Sequence, residues 1–160
     1  VMANDAMSGA QFSVSENGTL VYLAGAGPAI AAPALSWLDV IGNVAPLLPS
    51  GRNWNSPRFS PDGTRLALDI LDGSNNDIWT YDIKRGSLDR MTFDARAQEA
   101  EPIWTPDGRR IVFRKGESAR TAPNLYWVRS DLTGDVQRLT DSPWTQTPGS
   151  WHPSGKSLAF

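Results

Sequence analysis

No cysteine occurs in the 160-residue chain. Disulfides, zinc–thiolate sites and cysteine nucleophiles are excluded together. The compartment stays open, since a periplasmic domain can do without disulfides. Histidine is almost as scarce: His152 is the single one. It stands beside Pro153 at a turn position with no second ligand candidate, so neither a metal site nor a catalytic triad is expected from it. Acidic and basic residues nearly cancel, 17 against 15, and the arginines are scattered like solvated strand edges. Nothing in that balance calls for a nucleic-acid partner. Hydrophobic content of 40% with 20% charge is that of a globular chain.

Long apolar runs are also wanting. The stretch from Asn17 to Leu38 carries no charge over 22 residues, long enough to consider a membrane span. Glycines 18, 25 and 27 and prolines 28 and 33 interrupt it, and much of its apolar content is alanine, so no membrane insertion is expected. The N-terminus shows no basic region followed by an apolar core, and no signal peptide is expected there. Catalytic signatures are missing too. There is no Gly-x-Ser-x-Gly elbow and no kinase loop. The run Gly25-Ala26-Gly27-Pro28-Ala29-Ile30 lacks the third glycine of a dinucleotide loop, and Pro28 removes a backbone donor. No catalytic residue, cofactor or metal is expected in this segment.

What the chain does contain is a repeat. One pattern returns four times: Phe12 to Tyr22, Phe59 to Leu68, Trp104 to Phe113 and Trp151 to Phe160. Each copy opens on an aromatic residue, turns at Asn17-Gly18, Asp62-Gly63, Asp107-Gly108 or Ser154-Gly155, and continues into an apolar run. The glycines lie 45, 45 and 47 residues apart, the period of a four-stranded propeller blade. Asp-Gly and Asn-Gly supply the positive φ of tight hairpins, and proline pre-sets the turn entry. Asp62 and Asp107, although they repeat like ligands, read as turn formers that bond their own backbone.

A second pattern follows each hairpin: Leu35 to Asp39, Ile78 to Asp82, and Leu125 to Val128 running on to Asp131. Each reaches a glycine turn (Gly42, Gly86, Gly134) and a last short strand ending in Leu47-Leu48, Met91-Thr92 or Leu139-Thr140. The spacing therefore predicts an all-β fold, a propeller segment of about three and a half four-stranded blades. Their expected limits are 10–50, 56–94 and 101–141, with a partial blade at 148–160. Trp79, Trp104, Trp127, Trp151, Phe59 and Phe113 are expected to pack between blades.

The Phe59-Ser60-Pro61-Asp62-Gly63 and Trp104-Thr105-Pro106-Asp107-Gly108 hairpins resemble the TolB-like, WD-like propeller repeat. The elements Asp77-Ile78-Trp79 and Arg138-Leu139-Thr140 strengthen the likeness. The first hairpin departs from the pattern, with Val14 to Asn17 in place of Ser-Pro-Asp and a longer expected turn; the fourth carries Ser154 where Asp is usual. The opening stretch Gln11 to Tyr22 looks most like propellers linked to bacterial serine/threonine kinases. The resemblance implies a six-bladed ring, a periplasmic or other extracytoplasmic bacterial location, and a non-catalytic scaffold for protein interaction or sensing. It also implies an alternative, the substrate-gating propeller of a prolyl-oligopeptidase-type serine hydrolase.

Candidate partner-binding residues lie just before each inner strand, where a propeller chain enters the central channel. They are Trp54, Asn55 and Ser56, then Glu99, Ala100 and Glu101, then Thr145, Gln146 and Thr147. Trp54 and Trp144 read as large aromatics in polar loops, where binding residues concentrate. A protein partner is expected. Since about four to eight blades close a ring, a homodimer closing the propeller is a further expectation.

Overall fold

In the computed structural model the described residues are 12–14, 20–23, 34–49, 51–117 and 121–160. The Gly25 to Ile30 run and the Asn17-Gly18 turn lie outside them. Every regular element among the described residues is a strand. The first sheet consists of β1 (Phe12–Val14), β2 (Leu20–Leu23), β3 (Leu35–Leu38) and β4 (Val44–Leu48), paired in chain order and antiparallel. The next four strands repeat that meander: β5 (Asn53–Phe59), β6 (Arg65–Asp72), β7 (Asn75–Asp82) and β8 (Ser87–Arg90). So do β9 (Gln98–Trp104), β10 (Arg110–Gly116), β11 (Asn124–Arg129) and β12 (Gln137–Arg138). A hairpin of β13 (Ser150–Trp151) and β14 (Leu158–Ala159) ends the chain. One parallel bridge, Asn76 to Gln98, joins the second and third units where the chain crosses between them.

Burial explains why the apolar runs after each turn alternate so weakly. A strand sends successive side chains to opposite faces. Yet every residue from Leu66 to Ile70 in β6 is buried, because both of its faces are covered. Leu66, Leu68 and Ile70 point one way and pack with Trp54, Tyr81 and the first unit's Val21 and Leu35. Ala67 points the other way and joins Ile78, Met91, Trp104, Ile111, Phe113 and Val128. The third layer holds Ile103, Val112 and Leu125, with Trp127, Trp151 and Leu158 packed on it. The core is thus a series of slabs between blades, which is how a propeller holds together.

The expected aromatics stand at these boundaries. Phe113 and Trp104 are buried, and Phe59 stacks on Trp37 across the first boundary with centroids 5.9 Å apart. Trp79, Trp127 and Trp151 are half-buried and packed against the slabs. Trp104 does most at its boundary: its Nε1–H donates to the Arg58 carbonyl of the preceding blade at 3.1 Å, and the Arg65 guanidinium lies 4.7 Å from its ring centroid.

The tight turns are built as their residues suggest. Ser60 Oγ donates to Asp62 Oδ1 at 2.6 Å, Thr64 N–H donates to the same oxygen, and Gly63 sits at φ +68°. Thr105, Asp107, Gly108 and Arg109 reproduce that arrangement. In the last hairpin His152 and Ser154 replace the Ser/Thr and Asp: Nδ1 and Oγ lie 2.8 Å apart, and Ser154 N–H donates to Nδ1. His152 is therefore a turn residue.

Candidate functional site

The stretches 54–56 and 99–101 are not loops ahead of the inner strands but parts of them. β5 and β9 each continue backwards past a proline by means of a bulge, between Asn55 and Arg58 in one and opposite Val112 and Arg114 in the other. Pro57 and Pro102 lack the N–H that a regular ladder needs, and a bulge accommodates the gap. Ser56 (φ 47°) and Glu101 (φ 57°), each just before its proline, take the left-handed conformation. For residues other than glycine that is uncommon and strained.

This shift corrects the reading of Trp54. It is not an exposed loop aromatic: it pairs with Ile70 in β5, is only 4% exposed, and donates its Nε1–H to the Pro49 carbonyl at 3.2 Å. An anchor for a partner must be accessible, and Trp54 is core. Asn55 is half-buried and donates its side-chain amide to the Asn53 carbonyl. Trp144 fits its sequence reading better. It is 77% exposed, in a segment without regular structure, and its N–H donates to Ser142 Oγ. Thr145 and Thr147 are exposed beside it, while Gln146 is half-buried with its N–H donating to the Pro123 carbonyl at 2.9 Å.

Glu99 and Glu101 separate into two polar clusters. Glu99 is fully buried. Its partner Lys115 reaches Glu99 Oε1 at 3.3 Å and Asp94 Oδ2 at 2.8 Å. Burial pushes the Glu99 carboxyl up, against the opposing pull of Thr92 and Lys115. Burial pulls Lys115 down, but its bonds to Asp94 and Glu99 outweigh that and hold it above its ordinary value. Nearby, Arg90 closes on buried Asp77 at 2.6 Å. Glu101 pairs with Arg114 at 3.2 Å, and its N–H donates to Asp69 Oδ1 across the blade boundary at 3.2 Å. Asp69 is 3% exposed and also accepts from Asn76 at 2.9 Å and from the Ser56 side chain. Desolvation raises its pKa despite those donors.

Such perturbed carboxylates are where catalysis is sought first, so their surroundings matter. Ser56 has a carboxylate beside it but no imidazole, since His152 belongs to the last turn. Asp69 takes its donors from neighbouring strands, and Glu99 is held by the ion pair with Lys115 at 3.3 Å. Chemically these clusters act as clips that carry charge across the boundary between two blades.

The Arg-x-Thr elements are clips as well. Thr92 Oγ1 accepts the Ile78 N–H and Thr140 Oγ1 accepts the Leu125 N–H, both at 3.0 Å. Arg90 and Arg138 donate Nε to the carbonyls of those same threonines at 2.8 and 2.7 Å. Reading the sequence alone missed Asp69, Lys115 and Arg114. The available signal was charge inside strands that otherwise read as apolar.

Four-stranded antiparallel meanders packed face to face, the second and third of them with an aromatic and a Pro-Asp-Gly turn between their first two strands, define a β-propeller blade array. The particular family follows from comparison: residues 48–160 match the TolB beta propeller domain, and the chain belongs to that family. It is 32% identical over 111 residues to YuxL of Bacillus subtilis (strain 168), named an uncharacterized peptidase, covering 64% of this chain and 16% of that protein. TolB from Acinetobacter baumannii superimposes with a TM-score of 0.75 at 24% identity, over 93% of this chain and 36% of that one. A puromycin hydrolase superimposes with a TM-score of 0.64 at 17% identity, over 91% of this chain and 24% of that one. The chain thus spans about one sixth of the curated relative's length.

Proposed function

We propose that this segment is a non-catalytic scaffold that presents surfaces to a protein partner, as part of a propeller ring in an extracytoplasmic compartment. The observation that carries the reading is the use made of its buried charges. Asp69, Asp77, Glu99 and Lys115 each make a bond or ion pair that links strands or blades. What remains for recognition is the surface, with Trp144 as its largest exposed aromatic. The family resemblance supports the extracytoplasmic location.

Affinity capture from an extracytoplasmic extract of the source cells tests the scaffold role, with wild type and Trp144→Ala as baits. Proteins retained by wild type should be lost with Trp144→Ala while the melting temperature stays unchanged. Equal retention by both baits would remove Trp144 from the interface, and no specific retention by either would reject the role.

A second reading is favoured by the relative named a peptidase and by the hydrolase among the structural neighbours. In it the segment helps to gate access to a hydrolase domain elsewhere in a longer protein. Loosening a blade boundary with Trp104→Ala in such a protein should then widen the size range of accepted substrates. An unchanged size limit would reject gating.

A further inference from the structure

The face that carries the Pro-Asp-Gly turns holds a feature that blade cohesion does not require. In the second unit, the first cross-strand pair after the turn is Arg65 opposite Asp82, an attractive pair. The same place in the third unit is occupied by Arg110 opposite Arg129. Like charges directly opposite each other on adjacent strands are destabilising. Arg109, beside them, adds a third guanidinium. The turn itself uses only its backbone: the N–H donates to Asp107 and the carbonyl accepts the Ser130 N–H. Thr64 does both jobs in the second unit. The turn therefore does not need the Arg109 side chain, and the Arg110–Arg129 pair brings like charges together where the second unit has an attractive pair.

These side chains border an open cavity of about 310 Å³ lined by Gly108, Arg109, Arg110, Arg129, Ser130 and Asp131. Two of the cations are held in place. Arg110 lies over Trp127, 4.5 Å from the ring centroid. Arg129 is gripped by Asp131 at 2.6 and 3.1 Å and by Thr133 at 2.8 Å, engaging Nε and Nη2 and leaving Nη1. The Arg109 guanidinium makes no hydrogen bond or ring contact among the described residues; its charge acts on Asp107. With Asp131 tied to Arg129, the cavity keeps a net positive charge.

We propose that this cavity is a docking point for adjacent carboxylates of an acidic protein segment. Arginine forks suit carboxylates, and fixed side chains lose little freedom on binding. Arg110 and Arg129 stand on neighbouring strands about 5 Å apart with Arg109 next along the chain, a spread that suits two acidic side chains. The proposal rests on the scaffold reading and names the chemistry of the partner.

The second unit supplies one test variant: Arg109→Thr installs what that unit carries at the same position. Arg129→Gln removes the second charge and leaves an amide donor near Asp131; both positions are exposed. Fluorescence anisotropy of a labelled peptide of four glutamates flanked by glycines is measured against the 160-residue chain, at low and high salt. Wild type should bind, more weakly at high salt, and the double variant should bind at least tenfold more weakly with little change in melting temperature, because the lost Arg129–Asp131 pair is exposed. Arg96→Thr, a change in the crossover between blades, should leave affinity unaltered. Equal affinity in wild type and double variant would overturn the site. So would a response to inorganic phosphate with none to the peptide, which would make it a small-anion site. Substrate turnover by the same protein would instead overturn the non-catalytic reading and leave the peptide result standing.

Discussion

Replacing Trp104 by alanine tests the blade-boundary packing at its most concentrated point. The indole is 5% exposed and lies among side chains of two blades, Ala67, Ile78 and Met91 from one and Ile111, Phe113 and Val128 from its own. Truncating a buried aromatic of this size costs about 3–5 kcal/mol. Two further losses fall within or just beyond that range. The Arg58 carbonyl loses its Nε1–H donor, and an orphaned buried acceptor costs about 1–3 kcal/mol. Arg65 loses the ring beneath it, worth about 0.5–1 kcal/mol at a partly exposed site. At about 2–4 °C per kcal/mol for a chain of this length, the melting temperature should fall by roughly 6–20 °C. Trp104→Phe should recover most of the packing and none of the hydrogen bond, and so fall between wild type and alanine. Circular dichroism on heating, with urea titration as a second probe, reads both variants. A loss under about 1 kcal/mol, the range of ordinary surface changes, would place Trp104 outside the boundary and refute the packing.

Other perturbations follow from the same structure. Trp54→Ala should cost about 3–5 kcal/mol as a core truncation, whereas Trp144→Ala should stay within about 0.5 kcal/mol; thermal melts that reverse this order would contradict the burial of one and the exposure of the other. Gly108→Ala meets nothing closer than Pro61 Cδ at 3.7 Å, so its cost is conformational, about 1–2 kcal/mol for an L-residue at φ +67°, read by urea midpoint. Asp69→Asn removes a buried charge while keeping an acceptor for the Glu101 N–H, so stability at neutral pH should hold or rise, whereas Asp69→Leu should lose it. Because burial raises the Asp69 pKa, its effect on stability is most favourable below the ordinary aspartate range and fades as pH climbs through the raised value. Melts of Asp69→Asn across that range should show a shallower decline than wild type. Asp107 runs the other way: bonds from Thr105 and Arg109 lower its pKa. Its support is present above the ordinary aspartate value and disappears as pH falls through the lowered one. The penalty of Asp107→Ala, at most about 1 kcal/mol for so exposed a group, should therefore shrink in acid.

The propeller was legible because its signals are local and repeated. The Asp62-Gly63 and Asp107-Gly108 turns, and the aromatics before them, announce hairpins wherever they occur, and their spacing gives the repeat. Even the altered turn at His152 and Ser154 could be placed by register. The polar sites were legible only in part. The repeat spacing put the blade limits at 56 and 101; the bulges at Pro57 and Pro102 that carry the strands back to Asn53 and Gln98 depend on cross-strand and cross-blade partners such as Asp69, far off in sequence. For the same reason Trp54 read as a loop residue, when Ile70 opposite it and Val21 of the neighbouring blade make it core. Trp144 has no such partner and remained where its polar neighbours placed it. The contrast between Arg65–Asp82 and Arg110–Arg129 needs the strand register, which sequence spacing leaves uncertain by a residue or two.

The central claim is that the buried carboxylates of this segment hold blades together and do no chemistry. Hydrolysis of p-nitrophenyl esters and of prolyl and other aminoacyl p-nitroanilides by the purified 160-residue chain tests it most directly, with Asp69→Asn and Glu99→Gln run alongside. No turnover above buffer is expected from any of the three, with the variants differing from wild type only in stability. Turnover that co-purifies with the folded wild-type chain and disappears in either variant would contradict the claim.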